Sequence, residues 1–213
     1  MFLSASIGEN LTEIFSYPTT YITLLGVLIL LIGLNKMKKI QFTTKMLTFM
    51  GLAIALTAVL KMFKVYQAPF GGSVTFGSMI PILLVGYFYG TEVGLLTGFV
   101  YGIVDLILGP YILHPVQVLF DYPLPFMMLG LIGLFKGRDK KFVFLGTLVA
   151  VSARFMCHYF AGVVFWGSYA PEGMSPYLYS LLYNGSYLVF DSIIVIVILA
   201  ILPLDKLKKI ITE

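Results

Sequence analysis

Charged side chains are scarce in this chain: only 11% of its 213 residues are Asp, Glu, Lys or Arg. A soluble domain uses about a quarter of its residues that way, so an ordinary water-exposed fold is excluded. Cysteine occurs once, as Cys157 within an apolar run, which rules out an internal disulfide and carries no information on redox compartment. The two histidines, His114 and His158, are too few and too scattered to build a metal cluster with that one cysteine. No glycine-rich phosphate loop follows a strand pattern, so the chain encodes no nucleotide hydrolysis, and no cofactor is expected. Tryptophan too occurs once, as Trp166.

Apolar residues are abundant, at 59% of the chain with a mean hydropathy of +0.96, and they fall into long runs. Seven runs are legible: about 19–34, 45–63, 79–89, 93–108, 116–135, 142–166 and 177–202. Each is close to the roughly 20 residues that cross a bilayer, except the third, which is short. The first run follows a polar start with Glu9 and Glu13. It has neither a basic flank before it nor a small-residue cleavage pattern, so it reads as a retained helix rather than a signal peptide. The expected class is therefore an all-α membrane protein, with residues 1–40 forming a first transmembrane helix and basic linker and residues 41–213 the main membrane domain. No repeat or low-complexity segment is present.

Basic residues outnumber acidic ones by 14 to 10, but their placement points to a membrane rather than to nucleic acid. Lys36, Lys38, Lys39, Lys45, Lys136, Arg138, Lys140, Lys141, Lys206, Lys208 and Lys209 all fall in loops or the tail on one side of a seven-crossing path. The positive-inside rule then puts the N-terminus outside and the C-terminus in the cytoplasm. Lys61, Lys64 and Arg154 are the exceptions. The segments 66–75, 109–122 and 167–176 reach the outer face, where a pocket is expected.

The polar, aromatic stretch Arg154–Asn184 stands out against this background. His158 follows Arg154 by one helical turn and shares its face, and Trp166 lies about 80° further round an ideal helix. A lone buried histidine is commonly a satisfied core group, and an interfacial Trp commonly belongs to an aromatic belt. Tyr179 and Asn184, five residues apart, point about 140° apart on a straight helix and reach one cavity only if Tyr179 leans in from the helix start or the helix is distorted. Asp121-Tyr122-Pro123 reads either as a helix-start carboxylate or as an intramembrane site acid suited to a cationic or amino-bearing ligand. Asp105, Arg154 and Asp191 are the remaining intramembrane charges, and Arg154 is expected to satisfy burial by pairing with a carboxylate or with helix-end carbonyls, supporting the site. Ser168 and His158 are the one nucleophile–base pair worth naming, without a nucleophile motif around Ser168. Gly51, Ala53, Ala55, Thr57 and Ala58 give the second run a small-residue surface, suited either to internal packing or to docking a membrane partner.

The string HYFAGVVFWGSYAPEGMSPYLYSLLYNG, together with GGSVTFGSMIPI, YFYGTEVGLLTGFVYGIVD and LFDYPL, closely resembles the thiamine-specific substrate-binding (S) component of energy-coupling factor (ECF) transporters, the ThiT family, over about residues 47–202. The resemblance implies a six-helix bundle in a bacterial cell membrane that binds thiamine near the outer face. It implies a coupling membrane subunit and two cytoplasmic ATPases as partners, and no enzymatic activity of its own. It places substrate-binding residues at Asp121, Tyr122, His158, Trp166, Tyr179 and Asn184. The family carries Glu where this chain has Asp121, one methylene shorter. A second tryptophan of the first outer loop is absent, with Phe70 or Tyr66 left to supply its stacking surface. The segment 64–75 is expected to act as a lid, and the first helix has no counterpart in the six-helix pattern. Competing readings are an S-component for another small vitamin or a thiamine precursor, an intramembrane enzyme, and a purely structural subunit.

Overall fold

A computed structural model describes residues 15–38 and 40–212, so Glu9, Glu13 and Lys39 lie outside the described part. In chain order the elements are α1 (Pro18–Met37), α2 (Thr44–Met62), a ribbon of β1 (Lys64–Gln67) and β2 (Ser73–Thr75), α3 (Ile80–Tyr89), α4 (Thr91–Leu108), α5 (Pro115–Asp121), α6 (Pro123–Met128), a 3-10 segment (Leu129–Phe135), α7 (Lys141–Phe165), a 3-10 turn (Gly167–Tyr169), α8 (Pro176–Ile201) and α9 (Leu204–Thr212). Among the described residues, six apolar segments are long enough to cross a membrane: α1, α2, α4, the composite 115–135, α7 and α8. The protein is thus an all-helical, multi-pass membrane protein with one small antiparallel ribbon.

Local chemistry sets the boundaries. Prolines at the first helical positions of α1, α5, α6 and α8 cost no hydrogen bond there. Thr43 and Ser175 cap α2 and α8 by accepting from the backbone N–H groups of Met46 and Leu178. The third apolar run forms a ten-residue helix, about 15 Å long. It does not span the bilayer alone, but carries the chain from the ribbon to the opposite end of the bundle.

The fifth run is broken rather than continuous. Tyr122 leaves helical geometry at φ −119°, ψ −82°, between α5 and α6. Pro123 explains the break, since proline pushes the residue before it out of the α region. Asp121 is consequently the last residue of a short helix. The reading of Asp121 as a helix-start carboxylate is corrected by this geometry.

The basic loops gather at one end. Lys136 Nζ donates to the Tyr89 carbonyl at 2.9 Å and Lys140 Nζ to that of Ala200 at 2.9 Å. Tyr87 and Tyr89 donate their hydroxyls to the Arg138 and Ile211 carbonyls. The other ends of α2, α4, α7 and α8 converge with α5 and the ribbon. The main core lies between the two ends, built from α3, α4, the 115–135 segment, α7 and α8 around Leu83, Tyr101, Leu129 and Leu199.

Candidate functional site

At the end away from the basic loops, a cavity is lined by all six of Asp121, Tyr122, His158, Trp166, Tyr179 and Asn184. Arg154, His158, Gly162 and Trp166 recur every four residues, so one stripe of α7 faces it. Tyr179 enters from the first turn of α8 and Asn184 from the third, on a helix continuous over Pro176–Ile201, which favours a Tyr179 side chain leaning in from the helix start. Gly162 permits the two helices to approach: a Cβ there would overlap Ser180 Oγ and sit 3.0 Å from Asn184 Nδ2.

Asp121 is the hub. Its Oδ2 accepts from Gln117 Nε2 at 2.6 Å and from the Trp166 indole N–H at 3.3 Å, while Oδ1 lies 3.3 Å from His158 Nδ1. Gln117, 1% exposed, also donates to the Tyr111 carbonyl and accepts from the Leu113 amide. It therefore ties the preceding loop to the carboxylate. His114 begins α5, its Nδ1 accepting from the Val116 amide. His158 Nε2 is buried and has no hydrogen-bond partner among the described residues. No hydrogen bond joins His158 to Ser168 among the described residues, so the nucleophile–base pair is not assembled.

Around the acid stands an aromatic wall. The Trp166 ring lies 5.1 Å from Tyr111, 5.4 Å from Tyr169 and 5.7 Å from Phe70. Phe70 sits at the tip of the ribbon, where its amide donates to the Tyr183 hydroxyl. Tyr66 is exposed on β1 and does not line the cavity, so of the two residues considered for the absent second tryptophan it is Phe70 that faces Trp166. The base of the ribbon is anchored where the Thr75 amide and hydroxyl both donate to buried Asp191.

Tyr122 and Asn184 direct their polar atoms to protein partners outside this hub. The Tyr122 hydroxyl accepts from the Tyr111 amide and donates to the Gly109 carbonyl, leaving its ring to the cavity. Asn184 donates to Ser180 and to the His158 carbonyl and accepts from Tyr187.

Beneath these lie charges that sequence spacing did not pair correctly. Lys61, from α2, forms an ion pair with Asp105 of α4. Among the described residues Arg154 meets no carboxylate: its guanidinium lies 4.1 Å from the Phe126 ring centre, and Nε and Nη1 are buried without hydrogen-bond partners there. The expectation that Arg154 pairs with a carboxylate or with helix-end carbonyls is corrected: among the described residues it has neither partner, and Lys61 takes Asp105 while Thr75 takes Asp191. Gln117, Tyr111, Tyr183 and Lys61 line the cavity without having been singled out. Lys61 carried a signal, as a lone lysine at the end of an apolar run.

The model of the thiamine transporter protein (Thia_YuaJ) family matches residues 47–211. The chain belongs to this family. Thiamine transporter ThiT from Lacticaseibacillus paracasei is 36% identical over 140 residues, covering 58% of this chain and 70% of that protein. Thiamine transporter ThiT from Bacillus subtilis is 36% identical over 151 residues, covering 63% of this chain and 76% of that one. A solved structure of ThiT from Listeria monocytogenes superposes with a TM-score of 0.66 at 24% identity, over 76% of this chain and 93% of that one, and so shares the fold. As a member of the Thia_YuaJ family the chain is a transport protein rather than an enzyme.

Proposed function

We propose that the chain is the thiamine-binding S-component of an ECF importer, capturing vitamin B1 at the outer face of a bacterial membrane. The observation that carries this reading is a carboxylate, Asp121, set in an aromatic wall of Trp166, Tyr111 and Phe70. Thiamine is a planar aminopyrimidine joined to a permanently charged thiazolium. A desolvated cation over an aromatic face gains about 2 kcal/mol, and a nearby carboxylate offsets its charge. Among the described residues, three acidic groups, Asp105, Asp121 and Asp191, lie in or behind the cavity with two basic ones, Lys61 and Arg154. A monocation balances the one acidic group in excess.

Roles follow from what each side chain has free. Trp166 and the His158 ring supply stacking surface, Tyr122 its ring face, and the Tyr179 hydroxyl a hydrogen bond to a ring nitrogen. Asn184, bonded on both its oxygen and its nitrogen, holds the wall that the ligand meets. The ribbon, with Phe70 at its tip, is the lid. Placing the basic end in the cytoplasm sets the N-terminus outside and the C-terminus inside, with the cavity open to the exterior.

Energy for uptake comes from two cytoplasmic ATPases through a coupling membrane subunit. The surface of α2 fits such a partner: Ala53 and Thr57 are buried within the bundle, whereas Gly51 and Ala55 face outward. Small outward residues allow another helix to approach closely. Titration of the purified protein with thiamine, followed by recovery of the ligand, tests the reading. Saturable binding of ligand recovered intact is the expected outcome. Preference for another vitamin or for the isolated pyrimidine in a competition panel overturns the choice of thiamine.

A further inference from the structure

We propose that α1, which lies outside the residues the family model matches, is a brace that fixes the position of Asp121 by pressing on its neighbour Phe120. The proposal rests on the cavity being the ligand site. The family model begins at residue 47, beyond the end of α1, so the shared fold is described without this helix.

Most of α1 faces outward, with Tyr21, Leu24, Leu28 and Leu31 all more than half exposed. Its buried positions are Ile22, Gly26, Gly33 and Met37, a narrow stripe at helical spacing. That stripe lies on the segment carrying the site acid. A Cβ at Gly26 would come within 2.5 Å of Phe120 Cε2 and 3.0 Å of Leu119 Cδ2, and one at Gly33 within 3.2 Å of Met127 Sδ. Phe120 itself is 1% exposed and shares a cluster with Ile22 of α1 and with Cys157 and Ala161 of α7.

The segment under α1 is the part of the site least able to hold itself. α5 has seven residues and ends at the Tyr122 break, so it is neither long enough to be stable alone nor continuous with a longer helix. Its orientation must come from packing on both sides. On the cavity side Gln117 and Asp121 hydrogen-bond to the loop and to α7. On the lipid side, α1 covers Leu119 and Phe120. A rotation of α5 by a small angle would withdraw Asp121 from both Trp166 and His158.

A wedge at Gly26 tests this in the full-length protein. Gly26→Leu drives a branched side chain against Phe120, and thiamine binding is expected to weaken about tenfold or more, with a shift in the ligand-free emission of Trp166. Gly51→Leu, on a surface with nothing within 4 Å of the added Cβ, is the control and is expected to bind as the parent does. If Gly26→Leu fails to fold, the smaller Gly26→Ala is measured instead, with a smaller loss in the same direction. In an Asp121→Asn background the wedge is expected to cost less than about twofold, because two changes acting through one group are not additive. An equal loss in both backgrounds, or unchanged affinity and emission in the folded Gly26 variant, overturns the brace. If the parent protein binds no thiamine, the functional reading fails separately, and the emission of Trp166 in the two Gly26 variants still decides the proposal.

Discussion

The Trp166 indole N–H donates to Asp121 Oδ2 across 3.3 Å, joining the end of α7 to the end of α5. Because Trp166 is the sole tryptophan, the chain's emission reports directly on the environment of the site acid. Replacing Asp121 by Asn keeps the shape but removes the charge. Thiamine affinity is expected to fall by about 1.5–3 kcal/mol, the range for a hydrogen bond to a charged group. A neutral analogue should lose less. Equal losses for the two ligands would remove the carboxylate from a charge-pairing role.

Gln117 makes the same point from behind the site. It bonds Asp121, the Tyr111 carbonyl and the Leu113 amide, and it is buried. Gln117→Met keeps the volume and leaves those groups without their partner. Binding measured by calorimetry is expected to weaken by about 1–3 kcal/mol, while Gln117→Glu adds a second carboxylate beside Asp121 and weakens it further.

Phe70 covers Trp166 from the ribbon tip at 5.7 Å between ring centres. Removing the ring in Phe70→Ala opens that side of the cavity. In stopped-flow fluorescence, the dissociation rate is expected to rise more than the association rate falls, as for most changes at a formed interface. A change confined to association would argue against a lid.

Lys61 and Asp105 hold α2 to α4 through an ion pair in which Asp105 is buried and Lys61 is partly exposed. Removing one partner strands the other charge, so Lys61→Met is expected to destabilise the protein by about 3–5 kcal/mol, read as a lowered thermal midpoint in detergent. Lys61→Met combined with Asp105→Leu should recover most of that loss.

Long apolar runs and clustered lysines made the membrane class and the helix order readable in the sequence, because hydrocarbon imposes length and composition directly. Features set by tertiary packing were not readable. The break at Tyr122 depends on where Pro123 falls within an apolar run, and prolines near a helix start are equally compatible with a continuous helix. The partners of Arg154 depend on which helices are neighbours: Lys61, 44 residues before Asp105 in sequence, takes the carboxylate, and Arg154 turns to the Phe126 face instead. His158 and Trp166 were recoverable because both lie on one stripe of one helix. Gln117 was not, since its bonds tie the loop before α5 to the acid at the end of its own helix.

Isothermal titration of the purified protein with thiamine tests the central claim most directly. The account predicts one saturable site per chain, weakened in both Asp121→Asn and Trp166→Ala. Absence of saturable heat from the folded parent protein, or binding unchanged in both variants, would contradict it.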